Sequence, residues 1–554
     1  MPGAYQAEGT CRGGGDAGHL GARRAVEGVT LPGRSRLGPS WSGDGKLPWV
    51  NGEPGGRGSW PARLSLASLE RVPEQYRPAV DPRGLPVRIV HLGLGAFHRA
   101  HQAVYTEDAV MASGDAWGIC GVTERSPRVL EELGPQDGLY TLCERDGAGE
   151  SLRVVSSVRQ VLWAKEQTEQ LLARLADPAV AVVTLTVTEK GYRRDPVTGR
   201  LLVRDPEVSA DLAGRPPVTV IGQLVEGLAR RAQWGGGPVT VLSCDNLPDN
   251  GEALRSLVGQ YCELRPGGAW LVEWVGRHVT FPSCVVDRIV PAATEDDRAR
   301  VARRLGLEDL GAVVTEPFHQ WVIEDQFAAA RPAWERAGAI FAPRIAPYER
   351  AKLRLLNGAH STIAYLGALA GYEFVSDAVR EASAIGEVAR LLMSRDVAPT
   401  LEAPEGLDME RYQLDLMRRF QNPALCHRTL QIAMDGSQKL PQRLLGTIAD
   451  RRAQGAVPVW ASLGVAAWAR FVSARRSDKG QALVVDDPLE AEIAESLAGM
   501  AGAGAVVDAL LGITEIFPPS VSEDKVVRDL LVDLVGRLGG DGAEATAQAL
   551  TSAL

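Results

Sequence analysis

Between residues 87 and 290 the chain repeatedly returns to short runs that are apolar on both faces of an extended backbone: VRIVHL, WGICGV, AVAVVTLTV, PVTVLSC and HVTFPSCVV. An antiparallel strand with one wet face alternates apolar and polar residues, whereas these runs do not. A strand apolar on both sides must be covered on both sides, which points to a mainly parallel sheet sandwiched between helices. Helical stretches such as Glu166 to Leu175 and Val218 to Ala232 lie between some of the runs. The pattern therefore predicts an α/β, Rossmann-type arrangement for this part of the chain.

Each run ends in polar residues. The first ends in Gly93-Leu94-Gly95 and is followed by AFHRAHQAVYTEDAV, which has the composition of a helix. Strand, glycine turn and helix form the setting in which a backbone can approach a pyrophosphate. The third glycine of the usual fingerprint is replaced by His98. Taken alone, such a turn is as readily a purely steric one. The second run ends at Glu124, where a carboxylate can accept hydrogen bonds from adenosine ribose hydroxyls and repel a 2′-phosphate. That favours NAD, while the neighbouring Arg125 leaves NADP open. Later runs end in Thr188, Glu189 and Lys190, in Asp245 and Asn246, and in Asp287 and Arg288.

After about Arg344 the periodicity becomes helical, predicting an α-helical second half packed over the carboxyl edge of the sheet, with the active site between the two. The expected domains are an N-terminal extension over 1–62, a Rossmann-type domain over 63–343 and a helical domain over 344–554. The extension is rich in Gly, Arg, Ser and Pro and is read as disordered or extraneous. In the stretch YERAKLRLLNGAHS, regular helical winding puts Glu349, Lys352, Asn357 and His360 within an arc of about 140°. A lysine in apolar surroundings exchanges protons near neutral pH, and an amide beside it can hold an oxygen that gains charge. Spacing alone also fits a solvated helix face. Further on, His427, Arg428, Lys439 and Arg443 cluster in NPALCHRTLQIAMDGSQKLPQR, a basic set able to receive an anionic substrate or to form surface salt bridges.

The net charge of −9 argues against sequence-independent nucleic-acid binding. No apolar run is long enough to cross a bilayer, and no signal-peptide core is evident. Seven dispersed cysteines, without a CxxC pair, suit reduced thiols in a cytoplasmic enzyme, and no metal-ligand set is evident.

Taken together, IVHLGLGAFHRAHQAVYTED, LTVTEKGY, SCDNLPDNG, VDRIVP, EPFHQWVIED and KLRLLNGAH resemble the polyol-specific long-chain dehydrogenases, the mannitol dehydrogenase family, and within it the fructuronate reductase branch. The resemblance runs from about residue 65 to the C-terminus. It implies a metal-independent, NAD-dependent secondary-alcohol dehydrogenase acting on a sugar acid or polyol, monomeric or weakly oligomeric. It makes Lys352 the acid/base, Asn246 and Asn357 the amides that hold the reacting oxygen, and His360 a substrate-positioning residue. Gly93, Gly95 and Phe97 join Glu124 at the cofactor. Asp287, Glu349 and Glu189 line the site, and His427, Arg428 and Lys439 bind substrate, with Arg428 on a carboxylate. D-fructuronate and D-mannonate are the expected pair. Mannitol and fructose, or another polyol and ketose, are the alternative, and a non-catalytic NAD-binding regulator is a reading of a different class.

Overall fold

The computed structural model describes residues 62–195 and 198–553. The expected extension lies, apart from residue 62, outside them. Six strands form one wholly parallel sheet: β1 (Val87–Leu92), β2 (Gly118–Thr123), β5 (Val158–Trp163), β6 (Val182–Leu185), β7 (Val239–Ser243) and β8 (Val279–Thr280). Their spatial order is β5-β2-β1-β6-β7-β8, the doubly wound order of a dinucleotide-binding domain. Strands β2, β6 and β7 are buried at every position, which explains their unbroken apolar text.

The direction of winding reverses between β1 and β6. Gly93, at the carboxyl end of β1, has φ +96°, and a Cβ there would stand 2.1 Å from the Thr186 carbonyl oxygen beyond β6. This glycine is required by backbone conformation and by the neighbouring strand alike.

Two smaller sheets flank the first. β3 (Tyr140–Arg145) pairs with β4 (Glu150–Val155) and with β10 (Val313–Thr315). β11 (Gln320–Glu324) lies between β9 (Cys284–Asp287) and β12 (Ile340–Ala342), with β9 antiparallel to it. The run HVTFPSCVVD is thus split: its start edges the parallel sheet as β8, and its end leaves it as β9. Pro282, which has no N–H for a ladder, lies between them. Asp287 consequently does not sit at the edge of the parallel sheet, as its sequence context suggested.

From Ala346 onward the described chain is helical. At its centre the Ala359–Ala370 helix is buried on nearly every face, in keeping with a helix apolar all round. The Val459–Ala474 helix packs closely on it, because Gly464 leaves room for Thr362; a Cβ at Gly464 would lie 2.4 Å from the Thr362 hydroxyl. No helix among the described residues is long and apolar enough to cross a membrane.

Three histidines lie within the sheet half with no exposure: His91, His98 and His101. His91 and His98 stack with ring centroids 3.4 Å apart. His91 bonds Thr184, Thr186 and the Gly93 carbonyl, and so anchors the glycine turn. Burial pushes His91 and His101 down to about 3 and holds His98 well below the usual range. In the unfolded chain these imidazoles take up protons below about pH 6.5, whereas folded His91 and His101 do not until about pH 3 and His98 also stays neutral well below its usual range. Stability must therefore fall as pH drops through that window, because the unfolded chain binds more protons there. Chemical denaturation at pH 7 and pH 5.5 should show a clear loss at the lower pH; equal stability would mean that the rings are not buried neutral.

Candidate active site

Where the two halves meet lies a cavity of about 420 Å³, a size suited to a small polar ligand. The sheet half contributes the loop after β7. There Asp245 accepts hydrogen bonds from the Val187 and Thr188 amides and from the Tyr192 hydroxyl, tying the β6 and β7 loops together. Asn250 binds the Asp245 carbonyl and both backbone groups of Cys284, which fixes β9 alongside. Asn246 on one element and the Val286 carbonyl on the other are thereby brought to one spot.

The helical half sends Lys352 to that spot. Its amine donates to Asn246 Oδ1 at 2.8 Å and to the Val286 carbonyl at 2.7 Å. An ammonium has three N–H groups and these bonds use two. An ammonium can only donate, so the Asn246 oxygen faces Lys352 and its amide N–H groups are left for another acceptor. Burial lowers the proton affinity of Lys352, and the nearby Asp287 opposes that effect.

Helical winding is not regular here. Lys352–Gly358 forms a π-helix, with i→i+5 bonding, so Lys352 and Asn357 come one above the other and both line the cavity. The expected common arc for all four residues assumed regular winding, and His360 departs from it. It is not part of the cavity wall. It stacks on His427 at 5.5 Å and sits 5.2 Å from Phe420, with Nε2 buried and unpartnered. Burial, then the proximity of His427, holds its pKa well below the usual range. Glu349 does line the cavity; burial, then the Asp249 carboxylate, raises it to about 6.

A second π-helix, Pro441–Leu445, forms part of the facing wall. Gly358 permits its approach, since a Cβ there would lie 2.9 Å from the Arg443 carbonyl oxygen. Lys439 and Arg443 both line the cavity, as does Glu189. Arg428 requires a correction. It lies at the N-terminus of the Thr429–Ile432 helix with its side chain 62% exposed, pairs with Glu373 at 2.6 Å and borders a different surface hollow. Its solvent-facing ion pair satisfies it away from the cavity. His427 lies behind His360 instead of in the wall.

Asp287 also lies behind the wall. Its oxygens accept from Arg419 at 2.6 and 2.9 Å, and the same guanidinium bonds Glu316 at 2.8 and 2.9 Å. Arg419 holds the Asp287 carboxyl below its usual range against the opposing effect of burial. Sequence analysis assigned Arg419 and Glu316 no role; the only hint was EPFHQWVIED, singled out as a motif without a function for its glutamate.

At the carboxyl edge of the sheet, the residues fit a dinucleotide. A Cβ on Gly95 would touch only the Gly93 carbonyl, at 3.7 Å, so the space above the turn is open. Phe97 is half-buried and stacks on His101. Glu124, just past β2, has a buried Oε1 with no hydrogen-bond partner among the described residues, and burial raises its pKa to about 7 against a hydrogen bond from Gln223. An unpartnered carboxylate oxygen at this position suits a ribose hydroxyl. Gly93→Ala and Gly95→Ala should therefore behave differently. The first should cost about 1–3 kcal/mol of stability. The second should melt near wild type yet weaken NADH binding, as read by thermal denaturation and fluorescence titration; equal effects on both measurements would undo the distinction.

Residues 87–336 match the mannitol dehydrogenase Rossmann domain and residues 344–534 the mannitol dehydrogenase C-terminal domain. The uncharacterized oxidoreductase YeiQ of Escherichia coli is 44% identical over 82% of this chain and 92% of its own length. The D-mannonate oxidoreductase of the same organism is 43% identical, over 81% and 92%. Among solved structures, the Pseudomonas fluorescens mannitol 2-dehydrogenase ternary complex with NAD and D-mannitol is 33% identical, with a TM-score of 0.75 over 88% of this chain and 99% of that one.

Proposed function

The chain belongs to the mannitol dehydrogenase family of oxidoreductases, and we propose that it interconverts D-fructuronate and D-mannonate with NAD(H). The observation that carries the choice of substrate is Arg443. It lines the cavity half-buried, donates to the Ser361 hydroxyl at 2.9 Å and has no ion pair among the described residues. A guanidinium withdrawn from water without an anion is costly, and a substrate carboxylate supplies one. Lys439 adds a second positive charge, partly offset by Asp435 at 3.6 Å and by the Met434 carbonyl. A polyol offers no such anion. The 43% identity to D-mannonate oxidoreductase supports the same choice.

When bound, the nicotinamide supplies the hydride in reduction and receives it in oxidation. Lys352 gives the nascent alkoxide oxygen its proton through the one N–H it has left, or removes that proton in the reverse direction. The amides of Asn246 and Asn357 donate to the same oxygen, and count for most when it carries charge. The Val286 carbonyl keeps the lysine on its axis. Gly95 and Glu124 would hold the pyrophosphate and ribose ends of the cofactor.

Lys352→Ala should retain NADH binding and lose about 10² to 10⁴ in turnover. Arg443→Ala should lose about tenfold to hundredfold on fructuronate, equivalent to about 1.5–3 kcal/mol, with little change in any activity on fructose. A panel of keto-uronates and ketoses tests both. A wild-type enzyme that prefers fructose would sink the uronate assignment in favour of mannitol oxidation.

A further inference from the structure

We propose that Arg419 is a positioning residue for the catalytic amine: its guanidinium, shared between Asp287 and Glu316, holds the end of β9 so that the Val286 carbonyl and Asn246 aim Lys352 into the cavity. The inference rests on Lys352 being the acid/base.

The connection is short and every link is a hydrogen bond or a single peptide unit. Arg419, near the end of the Met409–Phe420 helix, reaches out of the helical half. It grips Asp287 with both terminal nitrogens. The next residue back along β9 is Val286, whose carbonyl accepts from Lys352. Lys352 and Arg419 are thus two arms from the helical half that converge on adjacent residues of one strand. Glu316 binds the guanidinium along its adjoining Nε–Nη2 edge, and the Phe318 ring stacks over its face, 4.1 Å from centroid to Cζ. Glu316 is itself held by the Ile289 amide. Both oxygens of each carboxylate accept from N–H groups, the pattern of ionised acids. The side chains of Arg419, Asp287 and Glu316 are 5%, 6% and 1% exposed, so water does not screen them.

Charge follows the same path. One guanidinium and two carboxylates leave a net charge of −1, which a protonated Lys352 cancels. Other groups facing the amine are Cys284 from β9 and Glu349 from its own helix. The cavity wall adds Glu189, Asp245, Lys439 and Arg443. Glu316 is not in that wall and does not touch Lys352. A change there reaches the lysine only through Arg419 and Asp287, which makes it the diagnostic position.

The experiment is the pH profile of kcat for alcohol oxidation, where the acid limb reports loss of the neutral amine, measured on the full chain beside NADH affinity and Tm. Removing an anion from the set destabilises the ammonium. Asp287→Asn should therefore move the acid limb about one pH unit lower, and Glu316→Gln should move it in the same direction by less. Arg419→Lys keeps the charge but loses the two-pronged grip. It should lower kcat about tenfold while KM and NADH affinity stay within about twofold. Wild-type limbs in Asp287→Asn or Glu316→Gln would overturn the proposal, as would parallel losses of kcat and NADH affinity, the mark of general loosening. If Arg419→Lys does not fold, Glu316→Gln decides alone. Lys352→Ala separates the two readings: retained turnover there defeats the lysine assignment itself, whereas an inactive Lys352→Ala beside wild-type Glu316→Gln and Arg419→Lys defeats the positioning role only.

Discussion

The contact between Arg419 and its two carboxylates joins the halves of this molecule just behind the cavity that Lys352 lines. Ions buried this deeply contribute less to stability than their number suggests, because desolvation offsets much of their attraction. Removing a single partner is another matter and typically costs about 3–5 kcal/mol, since it strands a charge. Such a contact tolerates one arrangement and rejects neighbouring ones. β9 ends in this contact at Asp287, and the carbonyl of the preceding Val286 is one of the two acceptors of the lysine amine.

Two kinds of charge meet in and behind the cavity wall. On the lysine side the positive groups are internally compensated, by Asp287 for Arg419 and by Asp435 for Lys439. Arg443 is the contrasting case, bonded among the described residues only to a neutral hydroxyl. Compensated charges set geometry and proton affinity, while an uncompensated one stays open to an anion. This division lets one small volume carry compensated and uncompensated positive charge side by side.

Much of the sheet was legible because burial on both faces leaves a direct trace in the text of β1, β2, β6 and β7. Gly93 was legible for a similar reason, since only one residue type satisfies its backbone angle and the Thr186 carbonyl together. Lys352, Asn246, Asn357 and Glu349 converge, but the structural reason was hidden. Regular winding would have placed His360 with them, and nothing in KLRLLNGAH announces a wider turn. Arg428 misled because it follows His427 directly, and a sequence does not say which of two adjacent side chains faces water. Arg419 and Glu316 are 103 positions apart, so no local pattern could join them.

The wide turn at Lys352–Gly358 has a consequence for how this site tolerates changes of length. Lys352 and Asn357 are five positions apart, and the i→i+5 winding brings them together. In a regular helix the same spacing would turn them about 140° apart, whereas a spacing of four would restore a common face. The segment's irregularity is thus a geometric register mark: at this spacing, alignment of the amine with the amide depends on the wider turn.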